Sequence, residues 1–85
     1  METRIEKFPD DNTLELRAGW LTWSVADVVR CCIQVCHITG LGRKSLAHGG
    51  YFTSVYTAGG QRLVIGLGLD DVVRMVLGHF APSED

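Results

Sequence analysis

The chain has 85 residues, of which 46% are hydrophobic and 21% are charged, and its formal net charge is −2. This composition predicts one folded domain over residues 1–85 and excludes a disordered tail. A chain this short hides only about two thirds of its unfolded surface, which argues against a deeply enclosed active site, and the acidic total argues against a protein that coats DNA.

The charges are unevenly distributed along the chain. Residues 17–62 carry five basic side chains against one aspartate, whereas both ends are acidic. The longest nearly apolar stretch, residues 25–38, is interrupted by charged and polar side chains and predicts no membrane span. A secretory signal pattern is absent, and three cysteines within six residues do not resemble a secreted disulfide framework. The sequence therefore predicts a soluble cytoplasmic protein.

The first element predicted along the chain is a hairpin. The run Pro-Asp-Asp-Asn at residues 9–12 favours a tight reversal, and Leu14 and Leu16 alternate with polar residues as in a half-buried strand. We expect the second strand to continue to Trp23, with Gly19 forming a bulge.

One local phrase, Asp-Val-Val-Arg, occurs at residues 27–30 and again at residues 71–74. We expect each copy to open an amphipathic helix. Ser24 is a favourable N-cap for a first helix over residues 25–38, and Gly40 is a suitable stop. The first helix would carry only a narrow polar stripe, and this surplus of apolar surface predicts a homodimer or higher oligomer. The valines expected to face the core are Val28, Val29, Val72 and Val73.

A glycine-rich basic connector is predicted over residues 40–50. A second hairpin follows, with strands at residues 51–57 and 62–67 around a Gly-Gly turn. The second helix is expected from Leu69 to Phe80, where apolar residues recur at helical spacing. The order is ββαββα, which makes the fold class α+β, with an antiparallel sheet packed against two helices.

The opening of the chain resembles that of ubiquitin-like β-grasp proteins. The resemblance covers Arg4 to Ile33, where a hairpin leads into Ser-Val-Ala-Asp-Val-Val at residues 24–29, and it implies a β-grasp-like arrangement as an alternative. The sequence ends in Phe-Ala-Pro-Ser-Glu-Asp instead of the terminal Gly-Gly of sulfur carriers and modifiers. A carrier activity is therefore not implied.

The three cysteines are candidate metal ligands. Cys32 and Cys36 are four residues apart, so on a helix their thiols would share a face and could bind zinc together with a distant histidine. His37 would lie about 100° from Cys36 around that helix, and the spacing typical of zinc ribbons is absent. We expect Cys31, Cys32 and Cys36 to be reduced and metal-free, and to act as small apolar side chains in packing. The histidines fall in separate elements and the acids at turns and helix starts, so neither a catalytic site nor a cofactor is predicted.

The candidate partner-binding residues are basic or aromatic and lie in or beside the connector: Arg43, Lys44, His48, Tyr51 and Arg62. Basic glycine-rich loops on rigid scaffolds are common binding elements. The leading hypothesis is a small non-enzymatic protein-binding module, such as a regulator, adaptor or the type of inhibitor that phages and mobile elements direct at host systems. The alternative is a nucleic-acid-binding module, in which the cations contact phosphates and a ring of the adjoining hairpin stacks on a base.

Overall fold

The computed structural model describes residues 3–47 and 49–80, and these residues form two antiparallel sheets and one α-helix. The first sheet is a meander of four strands, β1 (Thr3–Phe8), β2 (Asn12–Arg17), β3 (Trp20–Val25) and β4 (Val28–Gln34). After a 3₁₀ turn at Val35–His37, the second sheet contains β5 (Ile38–Ser45), β6 (Tyr51–Thr57) and β7 (Arg62–Ile65), and α1 (Leu69–Phe80) follows. No helix in the described ranges is long and apolar enough to cross a membrane.

The prediction of two helices packed on one sheet is wrong, because residues 25–38 contain the end of β3, a two-residue turn, strand β4, a 3₁₀ turn and the first residue of β5. Burial in this segment has a period of two, which is the period of a strand. The inward-facing residues are Cys31, Ile33 and Val35. Valine and isoleucine, which are branched at Cβ, favour the extended backbone over the helix.

Tight turns join the strands of the first sheet. The connection is three residues long after β1 and two residues long after β2 and β3, and each contains two consecutive residues with a left-handed backbone. Their φ angles are 64° and 61° at Asp10 and Asp11, 52° and 83° at Ala18 and Gly19, and 51° and 66° at Ala26 and Asp27. Positive φ at both positions defines a type I′ turn, whose twist matches that of the flanking strands. The hairpin predicted around residues 9–12 is confirmed, whereas the bulge expected at Gly19 and the β-grasp-like helix start are both wrong.

Most of the predicted connector is a strand, since β5 extends to Ser45. Glycine has little preference for strands, but here the Tyr56 ring of the neighbouring strand covers two glycines. A Cβ atom added at Gly40 or Gly42 would lie 3.8 or 3.7 Å from carbons of that ring. The ring supplies the cross-strand packing that glycine lacks. The second predicted hairpin is confirmed, although its second strand ends at Ile65 and not at residue 67. The helix from Leu69 to Phe80 is also confirmed.

The core lies between the two sheets, and α1 contacts β2 of the first sheet and β5 and β6 of the second. Its fully buried apolar side chains include Leu14, Leu21, Val55, Ile65, Val72 and Met75. The prediction that all four valines of the repeated phrase face the core is wrong for the first copy, because Val28 and Val29 are more than half exposed.

An ion pair joins α1 to strand β1. Arg74 Nη2 donates a hydrogen bond to Glu6 Oε1, and Arg74 Nη1 lies 3.3 Å from Asp71 Oδ1. The hydrogen bond from Arg74 holds the pKa of the Glu6 carboxyl below its usual value. Because both partners are partly exposed, we expect the pair to make only a small contribution to stability.

We expect the stability difference between the wild type and Glu6→Gln to disappear in acid. A lowered folded-state pKa means that the ionised carboxylate stabilises the fold fully at pH values well above the ordinary 4.5, and that this stabilisation is lost as the pH falls through the folded-state pKa. Urea unfolding of both proteins at neutral pH and in acid measures the effect. The wild type should be the more stable at neutral pH, and a difference that stays constant into acid would contradict the pairing.

Candidate functional site

The outer face of the second sheet gathers aromatic, apolar and basic side chains. In the register, Gly40, Gly42 and Lys44 of β5 lie opposite Tyr56, Ser54 and Phe52 of β6, and β7 places Val64 and Arg62 opposite Ser54 and Tyr56. Directly opposed residues of an antiparallel pair project to the same side. We call this surface the Tyr56 face, and its residues are Gly40, Gly42, Lys44, Phe52, Ser54, Tyr56, Arg62 and Val64.

The Tyr56 face has an apolar centre and a cation on each outer strand. Tyr56 is 39% exposed, Val64 is similarly exposed and Phe52 is half-buried. Lys44 on β5 and Arg62 on β7 are exposed, and neither forms an ion pair with a carboxylate within the described chain. Both charges are therefore available to groups outside the molecule.

Ser54 lies buried at the centre of the face, next to the core-facing Thr53, and the two hydroxyls differ in their hydrogen bonding. Thr53 Oγ1 donates to the Leu67 carbonyl oxygen at 2.8 Å. Ser54 Oγ has no hydrogen-bond partner among the described residues. A buried polar group without a partner costs roughly 1–3 kcal/mol, so serine is unfavourable here relative to alanine.

We therefore expect Ser54→Ala to leave the free energy of unfolding unchanged or to raise it by up to about 1 kcal/mol. Thr53→Val, which keeps the shape of the side chain but removes the donor, should lower it by about 1–2 kcal/mol because the Leu67 carbonyl loses its bond. Chemical denaturation of the two variants measures both changes. A loss of stability in Ser54→Ala would show that its hydroxyl is bonded.

The predicted partner-binding residues do not form one surface. Lys44 and Arg62 lie on the Tyr56 face, whereas Arg43 and Tyr51 project from the opposite side of the same sheet. The Arg43 guanidinium carbon is 5.5 Å from the centroid of the Tyr51 ring, and Arg43 Nη2 is 3.9 Å from Asp70 Oδ1 at the start of α1. Arg43 thus has partners inside the molecule.

The predicted residue His48 lies outside the described residues. Three side chains of the Tyr56 face, namely Phe52, Tyr56 and Val64, are not among the predicted partner-binding residues, although the sequence offers Phe52 and Tyr56 as candidate stacking rings for the nucleic-acid alternative. Alternation along the predicted second hairpin could have found them, because residues two apart on a strand share a side.

The geometry that suggested a zinc site is absent. Cys32 lies on β4 and Cys36 lies in the 3₁₀ turn that follows, so Cys32 and Cys36 share no helix face. Burial, with a smaller contribution from Cys32, raises the pKa of the Cys31 thiol, whereas Cys32 and Cys36 are exposed free thiols. In the part of the chain that the structure describes, no three His, Cys, Asp or Glu side chains are placed to hold a metal ion. That the purified protein is reduced and metal-free stays a prediction.

The Tyr56 face has the chemistry of a contact surface. Its rings and Val64 can pack against an apolar group, while Lys44 and Arg62 meet carboxylates or phosphates at the periphery. Among its residues, the polar side chains are two separate cations, the Tyr56 hydroxyl and one buried serine hydroxyl, with no titratable pair suited to acid-base work. Comparison of this chain with protein-family models, curated proteins and solved structures found no match.

Proposed function

We propose that this chain is a small non-enzymatic protein-binding module, acting as a regulator, inhibitor or adaptor, and that it contacts an acidic partner protein through the Tyr56 face. The observation that carries the proposal is the exposed Tyr56 ring, which lies over Gly40 and Gly42 with Lys44 and Arg62 on the two flanking strands. Tyrosine and arginine are residue types that dominate the binding energy of protein interfaces. Two cations that form no ion pair among the described residues favour an apolar target surrounded by carboxylates.

Homodimerisation and a cytoplasmic location are further parts of the proposal. Away from the Tyr56 face, several large apolar side chains are more than half exposed, namely Ile5, Val28, Val29 and Leu77. Exposed apolar surface of this kind favours self-association. Analytical ultracentrifugation should show a dimer or higher oligomer, and a monomer at high micromolar concentration would contradict this part.

Single-stranded nucleic acid is the alternative partner. An exposed ring between two cations also suits a stacked base with phosphates on either side. The formal net charge of −2 disfavours this alternative. If it holds, affinity should fall steeply with added salt, and neutralising Lys44 and Arg62 should reduce that dependence.

Affinity capture from the native host tests the proposal through charge-matched variants. One double variant, Lys44→Glu with Arg62→Glu, reverses both cations of the Tyr56 face, and Tyr56→Ala removes the central ring. The control, Lys7→Glu with Arg30→Glu, makes the same charge change at exposed positions of the first sheet. Thermal unfolding verifies that every variant is folded, and one sample of each is digested with nuclease.

We expect a partner protein that the wild type and the control variant both retain. Its recovery should fall about tenfold or more with the Tyr56-face variants, because truncating an anchoring residue typically costs 2 kcal/mol or more, roughly thirtyfold. Equal recovery by face and control variants would overturn the proposed surface. Loss of the captured protein on nuclease treatment would favour the nucleic-acid alternative.

A further inference from the structure

A cleft of about 570 Å³ lies between the edge strand β4 and the turn that joins β6 to β7. It is separate from the Tyr56 face, and its walls include Trp20, Gln34, His37, Gln61 and Leu63. None of its lining residues carries a full charge when histidine is neutral. The volume is within the range of roughly 300–1,000 Å³ that is typical of small-molecule sites.

The strand register brings an aromatic ring and a carboxamide together in this cleft. Trp20 of β3 lies directly opposite Gln34 of β4, and the next opposed pair on that side, Thr22 and Cys32, places the Cys32 thiol beside them. Opposed side chains of an antiparallel pair have Cβ atoms about 5 Å apart, so the indole and the carboxamide can contact one ligand. Trp20 is 44% exposed, which leaves its ring accessible.

Three of the polar side chains that line the cleft have no hydrogen-bond partner among the described residues, so they can bind a ligand. Across the described ranges, no intramolecular hydrogen bond engages the side-chain amides of Gln34 and Gln61 or the imidazole of His37. Each carboxamide offers a donor beside an acceptor. The site therefore combines one stacking surface with two bifunctional hydrogen-bonding groups and has no cation to hold a phosphate or a carboxylate.

We propose that this cleft binds an uncharged planar heterocycle that carries a hydrogen-bond donor next to an acceptor, the chemistry of a nucleobase. The ring stacks on Trp20, and a glutamine carboxamide pairs with its donor-acceptor edge, as carboxamides do with adenine. Leu63, which also lines the cleft, supplies an apolar contact. This binding does not depend on the proposed protein-binding function, because the cleft and the Tyr56 face are different surfaces.

Nuclear magnetic resonance titration with adenosine and uridine tests the proposal, and the second tryptophan serves as a reference in the same spectrum. Trp23 is half-buried, and its Nε1–H donates to Asn12 Oδ1 at 2.8 Å. We expect saturable shifts of the Trp20 indole N–H and of the Gln34 and Gln61 amide signals, with the Trp23 indole signal unchanged. Trp20→Leu should weaken binding by about tenfold or more, and Lys44→Glu should leave it unchanged.

Alkylation of the thiols by iodoacetamide gives a second readout. Cys32 and Cys36 are both exposed, but only Cys32 lines the cleft. A bound nucleoside should slow alkylation of Cys32 and leave that of Cys36 unchanged.

A short single-stranded oligonucleotide distinguishes the source of the base. Tighter binding of the oligonucleotide than of the nucleoside would identify a base within a strand as the ligand, and equal binding would identify a free small molecule. Three results would overturn the proposal: no saturable shift with either nucleoside up to its solubility limit, equal shifts at Trp20 and Trp23, or an affinity that is unchanged in Trp20→Leu.

Discussion

Replacing Val72 by alanine should lower the free energy of unfolding by about 2 kcal/mol, whereas the same change at Val28 should alter it by less than about 0.5 kcal/mol. Both valines occupy the second position of an identical Asp-Val-Val-Arg phrase. Val72 is 0% exposed in α1, and Val28 is 54% exposed at the start of β4. Truncation at Val72 therefore removes two buried carbon atoms and leaves a cavity, while truncation at Val28 removes atoms that already contact water.

Thermal and urea unfolding of the two variants measure this difference. For a domain of this size, 2 kcal/mol corresponds to a melting temperature lower by roughly 10 °C. Self-association would make the unfolding midpoint depend on protein concentration. Both variants are therefore measured at concentrations where dilution leaves the midpoint unchanged. Equal losses of unfolding free energy in the two variants would mean that Val28, in the first copy of the phrase, also faces the core.

Adding a methyl group at two glycines should have opposite effects on stability. Gly66→Ala should destabilise the fold by about 1–3 kcal/mol, because the new Cβ would lie 2.8 Å from Trp23 Cζ2. The hydrogen bond from Trp23 to Asn12 holds the indole ring and limits its movement. Overpacking at this position should therefore displace a half-buried ring.

Gly78→Ala should instead stabilise the protein by up to about 1 kcal/mol, because alanine is the better helix former within α1. Its Cβ would meet the guanidinium group of Arg4, the far end of a flexible and exposed side chain that can move into solvent. Melting temperatures of the two variants, compared with that of the wild type, show whether each substitution raises or lowers stability. A neutral Gly66→Ala or a destabilising Gly78→Ala would contradict these contacts.

The repeated phrase shows how far local sequence determines this fold. Residues 71–74 are followed by methionine, valine and leucine and lie in a helix, whereas residues 27–30 are followed by two cysteines and isoleucine and lie in a turn and a strand. The run from residue 25 to 38 is apolar at so many positions that both helical and strand periods fit it. The type I′ turn that decides between them is difficult to recognise, because Ala26 and Asp27 adopt positive φ without a glycine.

The candidate site was predicted only in part, again because local sequence does not show which segments are strands. Lys44 and Arg62 came from charge and composition, and they lie together on the Tyr56 face. Reading residues 40–45 as a loop placed Arg43 beside Lys44, whereas neighbours on a strand point to opposite sides. The feature that makes this segment a strand is Tyr56, whose ring covers Gly40 and Gly42 from a neighbouring strand, and such long-range pairing is not a local property of sequence.

Chemical footprinting of the two tyrosines, with and without the captured partner, tests the Tyr56 face most directly. Tyr51 is 57% exposed and Tyr56 is 39% exposed, and they project from opposite sides of the same sheet. Tyrosine-specific nitration followed by mass spectrometry reports the accessibility of each ring, with free Tyr51 as the internal reference. We predict that the partner protects Tyr56 and leaves Tyr51 unchanged. Protection of Tyr51 with Tyr56 still reactive would contradict the proposed contact surface.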